Sequence, residues 1–248
     1  MKSQAFLAQS GAESRMMLRR REVVFFSILL PTMFMLLFGS IFGNTVDQES
    51  GVKVISFLLP GYMVMAIMSV ALISLGIMTA NERQNGVLKR LGATPLPRAL
   101  LLLGKMVSIS FVIIIAVVLL LAIGVSFFGV TIRGNPIEIA LILVIGIAVF
   151  AILGLMIGGM VKAEAAPAIL NAIYFPLLFL GGAILPLSQL PDWLQQFGKL
   201  LPSYHLTNLL IEVMALGHPV ADSWGNLLAL LVWGAGSLAV AARTFKWE

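Results

Sequence analysis

The chain of 248 residues contains no cysteine. This absence excludes a disulfide framework, a thiolate zinc site and a cysteine nucleophile. Charged residues are scarce at 11% of the chain, whereas ordinary soluble domains carry about 25%. Hydrophobic residues make up 60% of the sequence. A soluble fold of this length cannot hide so much apolar surface, so the composition excludes a water-soluble globular enzyme and indicates a membrane protein.

Sequence motifs of common catalytic sites are also missing. There is no phosphate-binding G-x-x-x-x-G-K-[ST], no zinc-binding H-E-x-x-H and no G-x-S-x-G nucleophile elbow. The two histidines, His205 and His218, lie in the same connection between two apolar runs, which is expected to be external. A membrane-embedded enzyme would need such groups to converge, so we predict that the chain is not an enzyme and holds no metal or cofactor of its own.

Six apolar runs are long enough to cross a bilayer, which takes about 20 helical residues. They cover residues 23–42, 54–80, 99–130, 137–161, 165–187 and 224–242. A signal peptide is the alternative for the first run, but its apolar region would be shorter and would end at a small-residue cleavage site. We therefore predict one all-α integral membrane domain over residues 1–248, with six transmembrane helices. An interfacial helix within residues 1–22 is expected on the cytoplasmic face.

The distribution of basic residues predicts the orientation of these spans. With the N-terminus inside, 13 of the 16 Lys and Arg residues lie on the cytoplasmic side, and only Lys53, Arg133 and Lys199 lie outside. Cytoplasmic loops of membrane proteins accumulate Lys and Arg in this way. We therefore interpret the net charge of +5 as a topology signal, not a nucleic-acid-binding signal, and we expect both termini in the cytoplasm.

The connection between the fifth and sixth runs, residues 190–217, has an amphipathic pattern. Trp193, Phe197 and Leu201 recur at helical spacing and share one face. We expect Pro202 to end this helix and a second helix to begin with Ser203 as its N-cap. The pattern predicts a pair of interfacial or re-entrant helices at the outer membrane surface. A partly buried external loop is the alternative.

Polar side chains within spans are costly in lipid and indicate either a pathway or interhelical hydrogen bonds. We interpret Lys105 as a cytoplasmic anchor that snorkels out of the third span. The candidate lining of a substrate route is Tyr62, Met65, Ser69, Asn171, Tyr174 and Phe175. Packing within the bundle is the alternative for all six. Two G-x-x-x-G motifs, beginning at Gly39 and Gly154, predict close helix packing.

The loop over residues 81–98 carries the most informative motif. It predicts a short helix with apolar Val87, Leu88 and Leu91 on one side, stopped by Gly92 and Pro95. Gly86 precedes this helix, where a bend or a close approach favours a residue without a Cβ atom. Basic residues hold the loop in the cytoplasm, where lipid cannot cover an apolar stripe. The stripe therefore indicates a protein partner.

This loop reads E-R-x-x-G-V-L-x-x-L-x-x-T-P-L-x-R from Glu82 and is followed by Leu103-Gly104-Lys105. It resembles the cytoplasmic loop of type-2 ABC exporter permeases. The segment L-P-x-W-L-Q-x-F-x-x-L-L-P from Leu190 is similar to the external element before the last span in the same family. With the six-span layout, the resemblance covers essentially the whole chain. Permeases of drug-resistance exporters are the nearest kind by size and by the small external region.

The resemblance implies a permease subunit that pairs with a second copy or a homologue, surrounded by membrane lipid, in the bacterial cytoplasmic membrane. Each subunit would engage a separate ATP-binding-cassette ATPase, which would carry ATP and magnesium. The implied coupling residues are Glu82, Arg83, Gly86, Val87, Leu88, Leu91 and Pro95. The exported compound would be hydrophobic or amphipathic, such as a drug-like molecule or a lipid. Lipid-linked glycan export and a non-transporting scaffold role are the alternatives.

Overall fold

The computed structural model describes residues 25–48, 50–92, 98–184, 187 and 190–245. Within these ranges the chain is helical apart from short connections, and an isolated pairing of Val46 with Lys53 is the extended contact. The predicted all-α class is therefore confirmed for the described residues. The interfacial helix expected within residues 1–22 lies outside them.

The α-helices are numbered here in chain order. They are α1, Leu30–Phe42; α2, Val54–Gln84; α3, Val87–Gly92; α4, Arg98–Phe128; α5, Pro136–Met160; α6, Ala166–Leu180; α7, Asp192–Gly198; α8, Pro202–Ile211; and α9, Trp224–Thr244. A π-helical turn, Phe25–Leu29, precedes α1, and another, Glu212–Leu216, extends α8. A six-residue π-helical segment, Ser69–Ser74, interrupts α2 near its middle. A 3-10 turn, Val220–Ser223, leads into α9.

Among the described residues, four helical stretches are long and apolar enough to cross a membrane on their own: α2, α4, α5 and the stretch Val220–Thr244 that contains α9. Two shorter apolar helices, Ser27–Phe42 and Ala166–Leu180, correspond to the first and fifth predicted spans. Several apolar helices in one chain make this a multi-pass membrane protein. Helix α6 is shorter than the fifth predicted run, 165–187, because it ends at the Gly181-Gly182 pair. A Cβ atom at Gly181 would collide with Ser203 Oγ, and Gly182 has a left-handed φ of 72°, so these two glycines let the chain turn away from the helix axis.

Helix α2 is the centre of the bundle. In its most apolar 18-residue stretch 83% of the residues are buried, whereas the corresponding value for Val220–Thr244 is 17%. Thirty-one residues of helix extend about 46 Å, which exceeds the ~30 Å hydrocarbon core. Helix α2 is therefore longer than the hydrocarbon core is thick, and its last four residues, 81–84, are polar.

Helix α5 packs directly against the backbone of α2. A Cβ atom at Gly154 would collide with the carbonyl oxygen of Ala71, and one at Gly158 would collide with the carbonyl oxygen of Gly76. Small residues four apart therefore let the two helix axes approach closely. The close packing predicted from the second G-x-x-x-G motif is confirmed. It occurs within one chain, between α2 and α5.

The connections between helices gather at two ends of the bundle. At the upper end, defined by residues 43–53, 129–135 and 217–223, Lys53 Nζ donates to the carbonyl of Phe128 at 2.9 Å. At the same end the backbone N–H of Val220 donates to the Glu138 carboxylate at 3.0 Å. The lower end holds α3 and the connection from α5 to α6. Successive long helices therefore alternate in direction, as expected if each crosses the same layer.

The outward faces of the bundle are apolar. On α4, Val107, Phe111, Ile114 and Val118 recur at helical spacing, and each is more than half exposed. A soluble protein rarely leaves so continuous an apolar surface open to water. In a multi-pass membrane protein this face contacts lipid.

Helices α7 and α8 form a hairpin inside the upper half of the bundle. The indole N–H of Trp233 donates to the carbonyl of Leu200 at 3.0 Å, and the Leu206 side chain packs on Gly146. Trp233 lies nine residues after the first residue of α9, and Gly146 lies ten residues after the first residue of α5. These offsets correspond to about 14 Å of helix. The turn between α7 and α8 therefore lies well below the upper end.

The predicted start of the second hairpin helix is wrong by two residues, since the expected N-cap is Ser203 and the observed N-cap is Leu201. Pro202 does not end the first helix; it is the first residue of α8, and Leu201 occupies the N-cap. Proline suits this position because its φ is already helical and its missing N–H would have no partner there. Ser203 is fully buried within the first turn. The end before Gly217 is confirmed, since Gly217 adopts a left-handed φ of 80°.

Candidate functional site

The last turn of α2 carries three consecutive polar residues that contact other helices, and we call Glu82, Arg83 and Gln84 the clasp. The Glu82 carboxylate forms a salt bridge with the ammonium group of Lys105 on α4. Lys105 is fully buried, so its interpretation as a snorkelling anchor is wrong. An isolated buried ammonium group is costly, and the carboxylate supplies the charge that it needs.

Arg83 joins α2 to the end of α5. Its guanidinium group donates to the carbonyl of Gly159 and, at 2.7 Å, to the carbonyl of Val161. The last carbonyls of a helix lack partners within the helix and carry the negative end of its dipole. Arg83 therefore caps α5 with one cation and two hydrogen bonds.

Gln84 joins α2 to the connection between α5 and α6. Its side-chain amide donates to the Glu164 carboxylate at 2.6 Å, and its carbonyl oxygen accepts from the Ala163 N–H at 3.0 Å. The hydrogen bond from Gln84 lowers the pKa of the Glu164 carboxyl group below its usual value. Helix α6 begins at Ala166, two residues after Glu164. The clasp thus connects the end of α2 to α4, to α5 and to the start of α6.

Gly86 provides the bend between the clasp and α3. It has a left-handed φ of 68°, and a Cβ atom there would meet nothing within 4 Å. Of the two reasons given for a glycine at this position, the structure supports the bend and not a close approach. The backbone leaves α2 here and begins α3 at Val87.

Helix α3 presents a different surface from the one predicted. Leu88 is 1% exposed and is covered by its own chain, so it does not offer the free apolar contact expected for a partner. Val87 is half-buried, whereas Lys89 and Arg90 are exposed. The side chain of Leu91 and the whole of Pro95 lie outside the described residues. Among the described side chains of α3, the exposed ones are therefore the basic Lys89 and Arg90.

The candidate route residues on α2 lie in the closed core of the bundle. Tyr62, Met65 and Ser69 are at most 2% exposed. The hydroxyl groups of Tyr62 and Ser69 have no hydrogen-bond partner among the described residues. Buried hydroxyl groups are normally paired. Their presence here is consistent with a polar surface that gains partners in another conformation, although packing alone also accounts for their burial.

The candidate route residues on α6 divide between two faces. Tyr174 is 3% exposed and its hydroxyl group has no partner among the described residues. Phe175 is half exposed and packs edge-on against the Tyr174 ring. Asn171 is half-buried, and its amide group donates to the carbonyl of Pro167 at 2.7 Å. The structure therefore aims Tyr174 at the core and leaves Phe175 on the outside of the bundle.

The π-helical segment Ser69–Ser74 was not predicted from the sequence. It begins at the candidate route residue Ser69, and the Ser74 hydroxyl group donates to the Ser69 carbonyl at 3.0 Å. A π-helical segment adds a residue to the helical turn and occurs frequently at functional sites. No local sequence pattern distinguishes a π segment from an α-helix, so the sequence does not predict this one. The two serines five residues apart are its one trace in the sequence.

A groove of about 300 Å³ opens between the end of α6 and the α7–α8 hairpin. Its polar lining consists of Gln195, Lys199, Tyr204, Thr207 and Asn208, and Leu187 and Ile211 add apolar walls. Among the predicted amphipathic residues nearby, Trp193 and Phe197 are exposed and Leu201 is half-buried. The sequence analysis assigned no site role to any of the groove residues, because they come from three separate segments.

Comparison with known proteins places this architecture in context. The family model described as ABC-2 type transporter matches residues 4–215. The chain is 28% identical over 228 residues to the "Putative transport permease YvfS" of Bacillus subtilis, covering 91% of this chain and 90% of that protein. It is 27% identical over 252 residues to the "Probable doxorubicin resistance ABC transporter permease protein DrrC" of Mycobacterium tuberculosis, and the match covers 96% of this chain and 86% of that protein.

A third relative is longer than this chain. The "Probable multidrug ABC transporter permease YbhR" of Escherichia coli is 24% identical over 192 residues, which cover 77% of this chain. The match spans 52% of that protein, about half of its length.

Proposed function

Because this chain belongs to the ABC-2 type transporter family, we propose that it is the permease subunit through which an ATP-binding-cassette ATPase drives export of a hydrophobic or amphipathic compound. The 248 residues contain no phosphate-binding loop. ATP and magnesium therefore bind to a cassette outside these residues, and the chain supplies the membrane route. Six spans, cytoplasmic termini and a bacterial cytoplasmic membrane belong to the same proposal.

The clasp is the observation that carries the proposal. Three adjacent side chains at the end of α2 connect the loop at residues 85–92 to α4, to α5 and to the connection before α6. A push on this loop is therefore passed to three other membrane helices through charged and hydrogen-bonded contacts. A scaffold protein has no need for one loop to be bonded to so many spans.

The ATPase contact in this proposal is mainly polar. Lys89 and Arg90 are exposed on α3, and Val87 is the half-buried apolar residue beside them. Leu88 supports the loop from inside and does not touch the ATPase. Basic residues on the permease favour a partner surface that carries carboxylates, and such charges speed association and fix the register of the two chains.

The transport route in this proposal runs between two copies of the chain. Helix α6 leaves an apolar face exposed, with Ile169, Ile173, Phe175 and Phe179 among its members. The hydroxyl groups of Tyr62 and Tyr174, which have no hydrogen-bond partner in the described part of the chain, become part of the route when the helices separate. A mostly apolar wall with a few hydroxyl groups suits an amphiphile. Lipid-linked glycan export uses the same architecture and remains the second candidate.

Purification of the full chain from its native membranes tests the proposal. We expect a protein with a G-x-x-x-x-G-K-[ST] motif to co-purify in a 1:1 ratio with the chain and to hydrolyse ATP. Arg90→Ala should reduce this association, whereas Gly236→Ala on α9, where a Cβ atom meets nothing within 4 Å, should not. A stable, folded chain that purifies without any ATP-hydrolysing partner would support the scaffold alternative.

A further inference from the structure

We propose that the groove between α6 and the α7–α8 hairpin binds the anionic head of an amphiphile, a phosphate or carboxylate group attached to an apolar body. This inference rests on the proposed function and narrows its substrate class. It assigns a binding role to Lys199, Thr207 and Asn208, which the sequence analysis did not associate with a site.

The depth of the groove is the first argument. Lys199 is adjacent to Leu200, whose carbonyl accepts from Trp233 at 3.0 Å, about 14 Å along α9 from its first residue. A Cβ atom at Gly198 would collide with the carbonyl of Leu180, the last residue of α6. Lys199 therefore lies within the upper half of the bundle. Ionisable residues at such depth line cavities or bind charged groups, because an unpaired charge in hydrocarbon is costly.

The second argument is that the charge of Lys199 is uncompensated. Lys199 is exposed to the groove, and no salt bridge to it occurs among the described residues. The carboxylate of Glu212, one residue beyond α8, is bonded to His218 at 2.7 Å. An anion in the groove would pair with Lys199, which no carboxylate of the described residues does. A cationic amphiphile would be repelled.

The third argument is the set of hydrogen-bonding groups beside Lys199. Thr207 is 2% exposed, and its hydroxyl group has no partner among the described residues although Thr207 lines the groove. Asn208 is the next residue along α8, and Tyr204 lies one turn earlier. An ammonium group, two hydroxyl groups and an amide around one space form a site for anionic oxygen atoms.

The walls of the groove fit the remainder of an amphiphile. Leu187 and Ile211 line it, and two exposed apolar residues flank Lys199 in the chain, Phe197 in α7 and Leu200 in the turn after α7. An alkyl chain leaving the groove would thus pass over apolar side chains towards the lipid-facing surface. A free inorganic anion would gain nothing from these walls, so the geometry favours an anion that is attached to a hydrocarbon body.

Photo-crosslinking of the full chain in phosphatidylcholine nanodiscs tests the site without an ATPase. The probe is a dodecyl phosphate with a diazirine beside the phosphate, and its matched control is the corresponding dodecyltrimethylammonium compound. We expect the phosphate probe to saturate and to label residues 195–211, as mapped by peptide mass spectrometry. Equal labelling by the cationic probe, or labelling spread over all the helices, would overturn the proposal.

Two groove variants, each compared with the wild type, test how much Lys199 and Thr207 contribute to the affinity for the phosphate probe. Lys199→Gln should weaken the apparent affinity for the phosphate probe about tenfold, the size typical of one lost charge-assisted contact. Lys162→Gln removes an exposed lysine at the lower end and should change nothing. Thr207→Val should weaken binding severalfold without lowering the melting temperature of the free protein, because it removes a buried hydroxyl group that has no partner among the residues that the structure describes. Unchanged affinity in both groove variants contradicts the site, even if one of them folds poorly.

The source of the anion is decided by a competition. If phosphatidylglycerol in the nanodisc suppresses labelling, the groove binds a phospholipid of the bilayer; if it does not, the groove binds a free amphiphile. Both results support an anion-binding groove. Failure of the ATPase proposal would leave these binding measurements unaffected, and failure of binding would leave the ATPase association intact, so the two proposals are tested separately.

Discussion

Replacing Arg83 with alanine is the sharpest single perturbation of the clasp. The variant loses both hydrogen bonds from the guanidinium group and leaves the carbonyls of Gly159 and Val161 at the end of α5 without that cation. A hydrogen bond to a charged group contributes about 1.5–3 kcal/mol. Because Arg83 is partly exposed, solvent replaces some of this, and we expect a loss of about 2–4 kcal/mol in the free energy of unfolding.

This loss is measurable as a shift in thermal unfolding. For a protein of this size 1 kcal/mol corresponds to roughly 2–4 °C, so the melting temperature of the purified chain should fall by roughly 5–15 °C. Arg83→Lys should show a smaller loss, because a lysine does not reproduce the two-pronged guanidinium geometry. Arg90→Ala removes an exposed arginine on α3 and is the matched control for stability.

The coupling role requires a second measurement. In the assembled transporter, Arg83→Ala should leave ATP hydrolysis in place while lowering the number of molecules exported per ATP. If Arg83→Ala unfolds at the same temperature as the wild type and exports at the same ratio, the reasoning about the clasp is refuted.

The remaining predictions concern the ion pair, the glycine contact and α3. Lys105→Met or Glu82→Gln alone should lower the free energy of unfolding by about 3–5 kcal/mol. In a double-mutant cycle, the double variant should lose less than the sum of the two single variants. Additive losses would contradict the ion pair. Gly154→Val should destabilise the chain by about 1–3 kcal/mol or more, because its Cβ atom would collide with the carbonyl of Ala71, whereas Gly236→Val should cost about 1 kcal/mol or less by thermal unfolding. Leu88→Asp should reduce the yield of folded chain before any partner is added, since it buries a carboxylate; a folded Leu88→Asp chain that only loses its ATPase would restore the original interpretation of this residue.

The positions of the long helices follow from the length of the apolar runs. Boundaries of the second, third, fourth and sixth runs agree with the observed helices within four residues, because each of these runs is flanked by polar, glycine or proline residues that mark its ends. The end of α6 was not predicted at Leu180, since the run stays apolar beyond it. The Gly181-Gly182 pair is a local sign of an interruption in this run, but the contact of Gly181 with Ser203 in α8 is a tertiary contact that the run itself does not reveal.

The residues of the clasp and of α3 could be predicted only in part, because several of their contacts are with distant parts of the chain. The motif around Glu82 identified the loop, and Gly86 was expected to serve either a bend or a close approach, of which the left-handed φ of 68° shows the bend. The partner of Lys105 was missed because a lysine near the end of a span ordinarily reaches the interface, and its carboxylate lies 23 residues away in the chain. The burial of Leu88 depends on helices that the loop motif does not include.

ATP-dependent export by the reconstituted complex tests the central claim most directly. The chain and its co-purifying ATPase would be placed in inside-out vesicles with a fluorescent anionic amphiphile outside. We expect accumulation inside the vesicles that requires ATP, is abolished by a Lys→Ala change in the phosphate-binding loop of the ATPase and falls severalfold with Arg83→Ala in this chain. No ATP-dependent accumulation of any amphiphile by a folded complex with active ATPase would contradict the assignment of this chain as an export permease.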